Sequence, residues 1–206
     1  SQIINVRDML QFEEFMELPA SLTGQELVYE SISDAVGIDG KTVKSWIGVL
    51  ERSGIIHLLR PYTDGSPVKR MTKRPKMYFW DTGLACHLAK VTDAASLKAG
   101  YLRGPMVETY IVNEIMKSYS NNTEEAGFHY YRDSSKNEID LVIEENGTLY
   151  PLEMKKHADP QKTDMDAFDL LNKIPGTKRG PGGVICLYDR LITLKGNDRV
   201  IPINYL

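Results

Sequence analysis

Asp140, Glu153 and Lys155 lie on either side of an Asn146-Gly147 dipeptide, within one run of residues from Asn137 to Lys155. Asn-Gly is the strongest short signal for a two-residue hairpin loop, because both residues tolerate the positive φ of a type I′ turn. Such a loop sets Glu145 opposite Thr148. Stepping outward then places Asp140 opposite Glu153 and Glu138 opposite Lys155. Directly opposed residues share a face, with Cβ atoms about 4.5–5.5 Å apart. Ile139, Leu141 and Ile143, with Tyr150, Leu152 and Met154, make the other face apolar, and its burial holds the register. Two facing carboxylates repel, and Lys155 alone cannot offset both. A divalent cation can: magnesium favours hard oxygen donors, typically one or two carboxylates completed by waters and a substrate phosphate. The plain alternative is a solvated strand face carrying scattered charge.

The elements that position this hairpin read as a mixed α/β domain. Gly104-Pro105 starts a helix whose apolar face is Val107, Tyr110, Ile111 and Ile115, with proline at the first position, where no amide donor is required. Strands follow near 128–132, 137–144 and 148–155, then a helix near 161–173 and strands near 183–188 and 199–204. The order is αβββαβ over residues 104–206. Glu108 lies on the leading helix. Glu114, six positions on, falls about 240° further round at ~100° per residue and does not share its face.

The first half, residues 1–95, has a different rhythm. Helical spacing runs over 5–20 and stops at Leu18-Pro19, and a second helix spans about Gln25 to Ala35 and ends at Gly37. Asp39 is placed to cap a third, which carries Val43, Trp46, Ile47 and Leu50 inward and stops at Ser53-Gly54. Strands at Ile55–Leu59 and Met77–Trp80 follow, then a helix over 82–90 capped by Asp81 and a looser junction over 91–103. Helix, helix, short turn, helix, β-ribbon is the order of a winged helix-turn-helix. Its recognition helix would expose Lys41, Thr42, Lys44 and Ser45. Its wing would carry Lys69, Arg70, Lys73, Arg74 and Lys76, suited to the phosphates of DNA. Residues 60–76 hold six cations against the single acid Asp64, a net charge of +5 in a chain whose formal net charge is −3. Winged helices also serve as packing modules between proteins, and the acids around Glu13, Glu14, Glu17, Glu26, Glu30 and Asp34 make the first two helices hostile to DNA.

Other chemistries are excluded or read plainly. Cys86 and Cys186 form no disulfide framework, so a reducing cytoplasm is the simpler setting. No apolar run of about 18 residues spans a bilayer, and no signal segment opens the chain. His57, His87, His129 and His157 lack metal-ligand spacing, Trp46, Trp80 and Cys86 read as core, and Asp133 reads as a turn former. No glycine-rich phosphate loop is present, so ATP binding would belong to an N-terminal module outside this chain. The serine start and the amphipathic opening read as the C-terminal part of a longer protein.

Asp140, Glu153-x-Lys155 and the upstream acid Glu108 resemble the PD-(D/E)XK phosphodiesterase superfamily, with isoleucine in place of the proline before the first acid. A narrower resemblance runs through Lys76-Met-Tyr-Phe-Trp-Asp-Thr-Gly-Leu84, Gly104-x-x-x-Glu108 and Tyr130-Tyr-Arg-Asp to Glu153-x-Lys155. It is to a bacterial and archaeal group in which an AAA-type ATPase module precedes a C-terminal domain of uncharacterised function. These resemblances imply an N-terminal winged helix followed by a restriction-endonuclease-like domain. They imply that Asp140 and Glu153 bind one or two magnesium ions, with manganese as a substitute, and that Glu108 assists as a ligand or through water. Lys155 would polarise the attacking water, nucleic acid would be the substrate, and the ATPase module of the same protein would be the partner. A non-catalytic accessory domain that binds DNA or protein is the alternative.

Overall fold

The computed structural model describes residues 6–63 and 74–206, which form a mixed α+β protein. The chain divides into two compact units, Ser1–Leu58 with Pro75–Met106, and Leu59–Arg74 with Val107–Leu206. Of the stretch between Leu59 and Arg74, the described residues 59–63 and 74 fall in the second unit.

In the first unit α1 (Val6–Ser21) runs through Pro19 instead of stopping there, since the lost amide bond falls in its last turn. Residues 25 and 26 are strand and not the start of the second helix. β1 (Gln25–Glu26) pairs antiparallel with β3 (Lys76–Phe79), in a three-stranded sheet ordered β1-β3-β2 with β2 at Ile56–Leu59. α2 (Tyr29–Val36) ends at Gly37, whose amide still donates to the Ser33 carbonyl at 2.9 Å and whose φ of 71° turns the following chain out of the helix. α3 (Gly40–Arg52) is capped by Asp39, which accepts from the amides of Lys41 and Thr42 as expected. α3 buries Val43, Ile47 and Leu50, one stripe at helical spacing, against Phe15, Ile32, Ile56 and Phe79. Trp46 is half-buried with its ring centroid 5.1 Å from Phe15 and 5.3 Å from Phe12, a packing role. α4 (Thr82–Leu88) starts at its Asp81 cap, and the stretch read as a loose junction contains α5 (Ala94–Ala99), fixed by an Asp93–Ser96 capping box.

In the second unit α6 (Arg103–Asn121), which belongs to it from Val107 onward, precedes the antiparallel meander β4 (Gly127–Arg132), β5 (Glu138–Glu145) and β6 (Thr148–Met154). Because α6 begins at Arg103, Pro105 is third in the helix, still among the amides that have no intrahelical acceptor. Its buried face is Thr109, Ile111, Val112, Asn113 and Ile115, while Tyr110 is exposed. A crossover then returns the chain to β8 (Gly183–Cys186), which lies parallel to β6. β10 (Asp198–Pro202) adds parallel to β8, and β9 (Ile192–Lys195) adds antiparallel at the edge. Two strands, β7 (Lys178–Arg179) and β9, escaped the sequence reading. β7 extends beside β6, and the sheet order is β4-β5-β6-β8-β10-β9.

The crossover element is a 3-10 helix, Lys162–Lys173, where an ordinary helix is predicted. Its buried residues Met165, Phe168 and Leu171 recur every three positions. A helix of roughly three residues per turn stacks them in one row, whereas an α-helix would fan them apart. They pack on Val142, Leu149 and Val184 of the sheet.

Candidate functional site

The turn and the register arrive as read. Asn146 and Gly147 have φ of 50° and 74°, and the ladder runs from Glu145–Thr148 through Leu141–Leu152 in the expected pairing. It stops one pair short of Asp140 and Glu153. The cause is on the other side of β5, where His129 pairs with Val142 but Tyr131 pairs with Ile139. One residue of β4, Tyr130, therefore faces two of β5, Asp140 and Leu141, and β5 bulges where Asp140 sits. The Asp140 carboxylate turns to β6 and accepts the Met154 amide at 2.9 Å. Glu138 does not meet Lys155: it pairs with Arg132 on β4, with an ion-pair distance of 3.6 Å.

The acid-bearing face is not the open surface the alternation implied. Val142 and Leu149 lie on it, both fully buried, and the bulge brings Ile139 into the same cluster beneath the 3-10 helix. The Glu153 side chain is consequently only 14% exposed. Burial, then the Asp140 carboxylate, pushes its carboxyl up to about 8, with Glu108 adding a smaller push and the Lys155 ammonium pulling down. Lys155 Nζ lies 2.7 Å from Glu153 Oε1 and 3.9 Å from Asp164 Oδ1. Burial works to lower the lysine, but Glu153, Asp140 and Asp164 outweigh it and leave it raised.

Glu153 is acted on by Asp140, Lys155 and, most weakly, Glu108, and Lys155 by Glu153 and Asp140. Asp164 joins them from the first turn of the 3-10 helix, and the sequence reading missed it. Its only signal was an acid early in the segment after Lys155. Glu114 stays apart, paired with Lys117 at 3.0 Å. His157 is exposed, and Asp133 is a turn former that accepts from Ser135 and Asn137.

As a donor set, two carboxylates on adjacent strands match a hydrated cation that keeps several waters. They do not match a closed protein cage: among the described residues no group of three or more His, Cys, Asp or Glu is disposed to hold a metal ion.

The basic residues divide. Lys41, Lys44 and Ser45 are exposed on α3, but Thr42 is held by Asp39, its hydroxyl 2.5 Å from Oδ2. Lys76 is buried in β3 and is no wing residue. Lys69, Arg70 and Lys73 lie outside the described residues. Arg74 is exposed, its carbonyl accepting the Tyr130 hydroxyl at 2.6 Å, and the Arg60 carbonyl accepts the Tyr130 amide. Both described ends of the basic segment are therefore fastened to the residue of β4 that faces the Asp140 bulge.

Residues 103–206 match the family described as "Domain of unknown function (DUF4143)". The chain belongs to the DUF4143 family. Residues 1–95 of this DUF4143 chain match "Domain of unknown function (DUF8612)". Among curated proteins the chain is similar to "Uncharacterized protein Mb2031c" of Mycobacterium bovis and "Uncharacterized protein Rv2008c" of Mycobacterium tuberculosis. Each is 23% identical over 137 residues, which cover 66% of this chain and 30% of the relative. The DUF4143 chain therefore spans about three tenths of the length of these relatives. No solved structure matches it. Among the described residues no helix is long and apolar enough to cross a membrane.

Proposed function

We propose that the unit containing Val107–Leu206 is a magnesium-dependent phosphodiesterase of the PD-(D/E)XK kind that cuts nucleic acid, with a restriction-endonuclease-like core. One observation carries the reading: a buried Glu153 lies under the repulsion of Asp140 and Glu108 while a lysine two residues on reaches it. Such an arrangement costs a fold stability, and a scaffold has no use for it. Asp140 and Glu153 would hold the cation, magnesium or manganese, with Glu108 assisting through water. The cation supplies Lewis-acid polarisation of the phosphate and a more acidic bound water. Lys155 would orient the attacking water and stabilise the charge that develops on the phosphoryl oxygens.

The first unit is read as a winged helix that offers Lys41 and Lys44 to DNA, within a protein whose ATPase module lies N-terminal to this chain. Arg60 and Arg74 are bonded to Tyr130 through their carbonyls, which favours assigning these two cations to the phosphodiesterase unit as phosphate contacts. A second reading, a non-catalytic accessory domain, is favoured by the lack of a third converging metal donor among the described residues. Incubation of single- and double-stranded DNA and RNA with magnesium decides between them. Cleavage that EDTA and Asp140→Ala abolish supports the first reading. Equal cleavage by wild type, Asp140→Ala and Lys155→Ala means a contaminating nuclease and removes it.

A further inference from the structure

We infer that Asp164 is a positioning residue for Lys155, the second anionic acceptor to which that ammonium turns when Glu153 engages a divalent cation. The contact stands on geometry, and only its functional consequence rests on the cation reading above. Three constraints fix the arrangement. The Lys155 amide donates to the Ile185 carbonyl at 2.9 Å, which anchors the root of the side chain beside β8. Asp164 Oδ2 accepts the Gln161 amide at 2.8 Å, so one carboxylate oxygen is held by the start of the 3-10 helix and the other, Oδ1, faces Lys155 Nζ at 3.9 Å. Asp164 is 16% exposed and Lys155 28%, which limits screening of the pair by water.

The period of the 3-10 helix explains why Asp164 alone among its acids is available. Asp166 and Asp169, three residues apart, form a row that Lys195 Nζ closes at 3.0 and 3.2 Å. Asp164 lies on a different row, on the side of the site. A lysine stem is flexible, and its ammonium presents three donors. In the structure that ammonium donates to Glu153 Oε1 at 2.7 Å. With Glu153 engaged by a cation, the ammonium would be repelled and would lose its main partner at once. Without Asp164 the lysine would compete with the cation for Glu153. With it, Lys155 moves a short way, keeps a counter-charge and stays where an attacking water needs it.

The test is a manganese titration of the full chain by calorimetry at pH 8, with Asp164→Asn chosen because the amide oxygen still accepts from Gln161. Asp164→Asn is expected to weaken manganese binding about fivefold, and to change it by less than about twofold when introduced beside Lys155→Met. An equal loss in both backgrounds, or no loss in either, overturns the inference. A second cycle needs no metal: Lys155→Met and Asp164→Asn should be non-additive by about threefold in the unfolding equilibrium constant. Strict additivity there overturns the inference whether or not the protein binds metal. Failure of the wild type to bind manganese counts against the cation reading and the hand-over, while the metal-free cycle still decides whether Asp164 holds Lys155.

Discussion

Asp198→Ala is expected to destabilise the second unit by roughly 3–5 kcal/mol, the range for removing one partner of a buried ion pair. Asp198 is 4% exposed at the start of β10. One oxygen accepts from the Arg179 guanidinium and the other accepts the Gly182 amide at 2.7 Å. The alanine variant leaves an arginine inside the protein with its charge unpaired, and that residual cation accounts for most of the cost. Phe168, with its ring centroid 5.8 Å from the guanidinium, offsets only part of it. Gly182 loses its acceptor too, at a position where the chain cannot shift easily: a Cβ there would lie 2.7 Å from the Phe168 ring. Asp198→Asn should cost less, because the amide oxygen still serves Gly182. Urea denaturation measures both. Combining Asp198→Asn with Arg179→Met should be strongly sub-additive, since the stranded charge leaves with the arginine. A loss under 1 kcal/mol for Asp198→Ala would show that water reaches the pair.

Glu153→Gln is expected to act in the opposite direction and stabilise the cation-free protein. Burial and the Asp140 carboxylate push the folded carboxyl from the ordinary 4.5 up to about 8, so the folded state holds the proton more tightly. Its contribution to stability is full below about pH 4.5 and is lost as pH rises through about 8. Glutamine cannot ionise and escapes that loss. The gain should be near zero at pH 4, grow across the window and level off above pH 8, reaching on the order of 1–3 kcal/mol once the loss of the Lys155 contact is subtracted. The same substitution should abolish metal-dependent cleavage, a trade of function for stability. Denaturant midpoints measured at pH 4, 6 and 9 check it, and a gain independent of pH would contradict the assigned cause.

The legible parts of the molecule are those that local chemistry dictates. Asn146-Gly147 determines a hairpin register before any tertiary contact is known, and Asp39, Asp81 and Gly37 mark helix ends through bonds made within a few residues. The parts that were not legible depend on what lies opposite. The bulge at Asp140 exists because β4 supplies one residue where β5 supplies two, which no pattern within the hairpin records. Alternation misled for a related reason. β5 is flanked by β4 and β6, and such inner strands are buried on both faces, which the unbroken run Leu141-Val142-Ile143 signals better than any period of two. Asp164 was invisible because its row on the 3-10 helix depends on a three-residue period that the sequence was not expected to follow.

Calorimetric titration of the metal-free chain with manganese at pH 6 and pH 9, beside Asp140→Asn, tests the cation site most directly. Asparagine can still accept the Met154 amide, so the bulge survives while one ligand charge is lost. Because a cation must displace the proton from Glu153, the account predicts saturable binding that is weak at pH 6, tighter by at least tenfold at pH 9, and lost in Asp140→Asn. No binding at either pH, or binding that Asp140→Asn leaves unchanged, would contradict it.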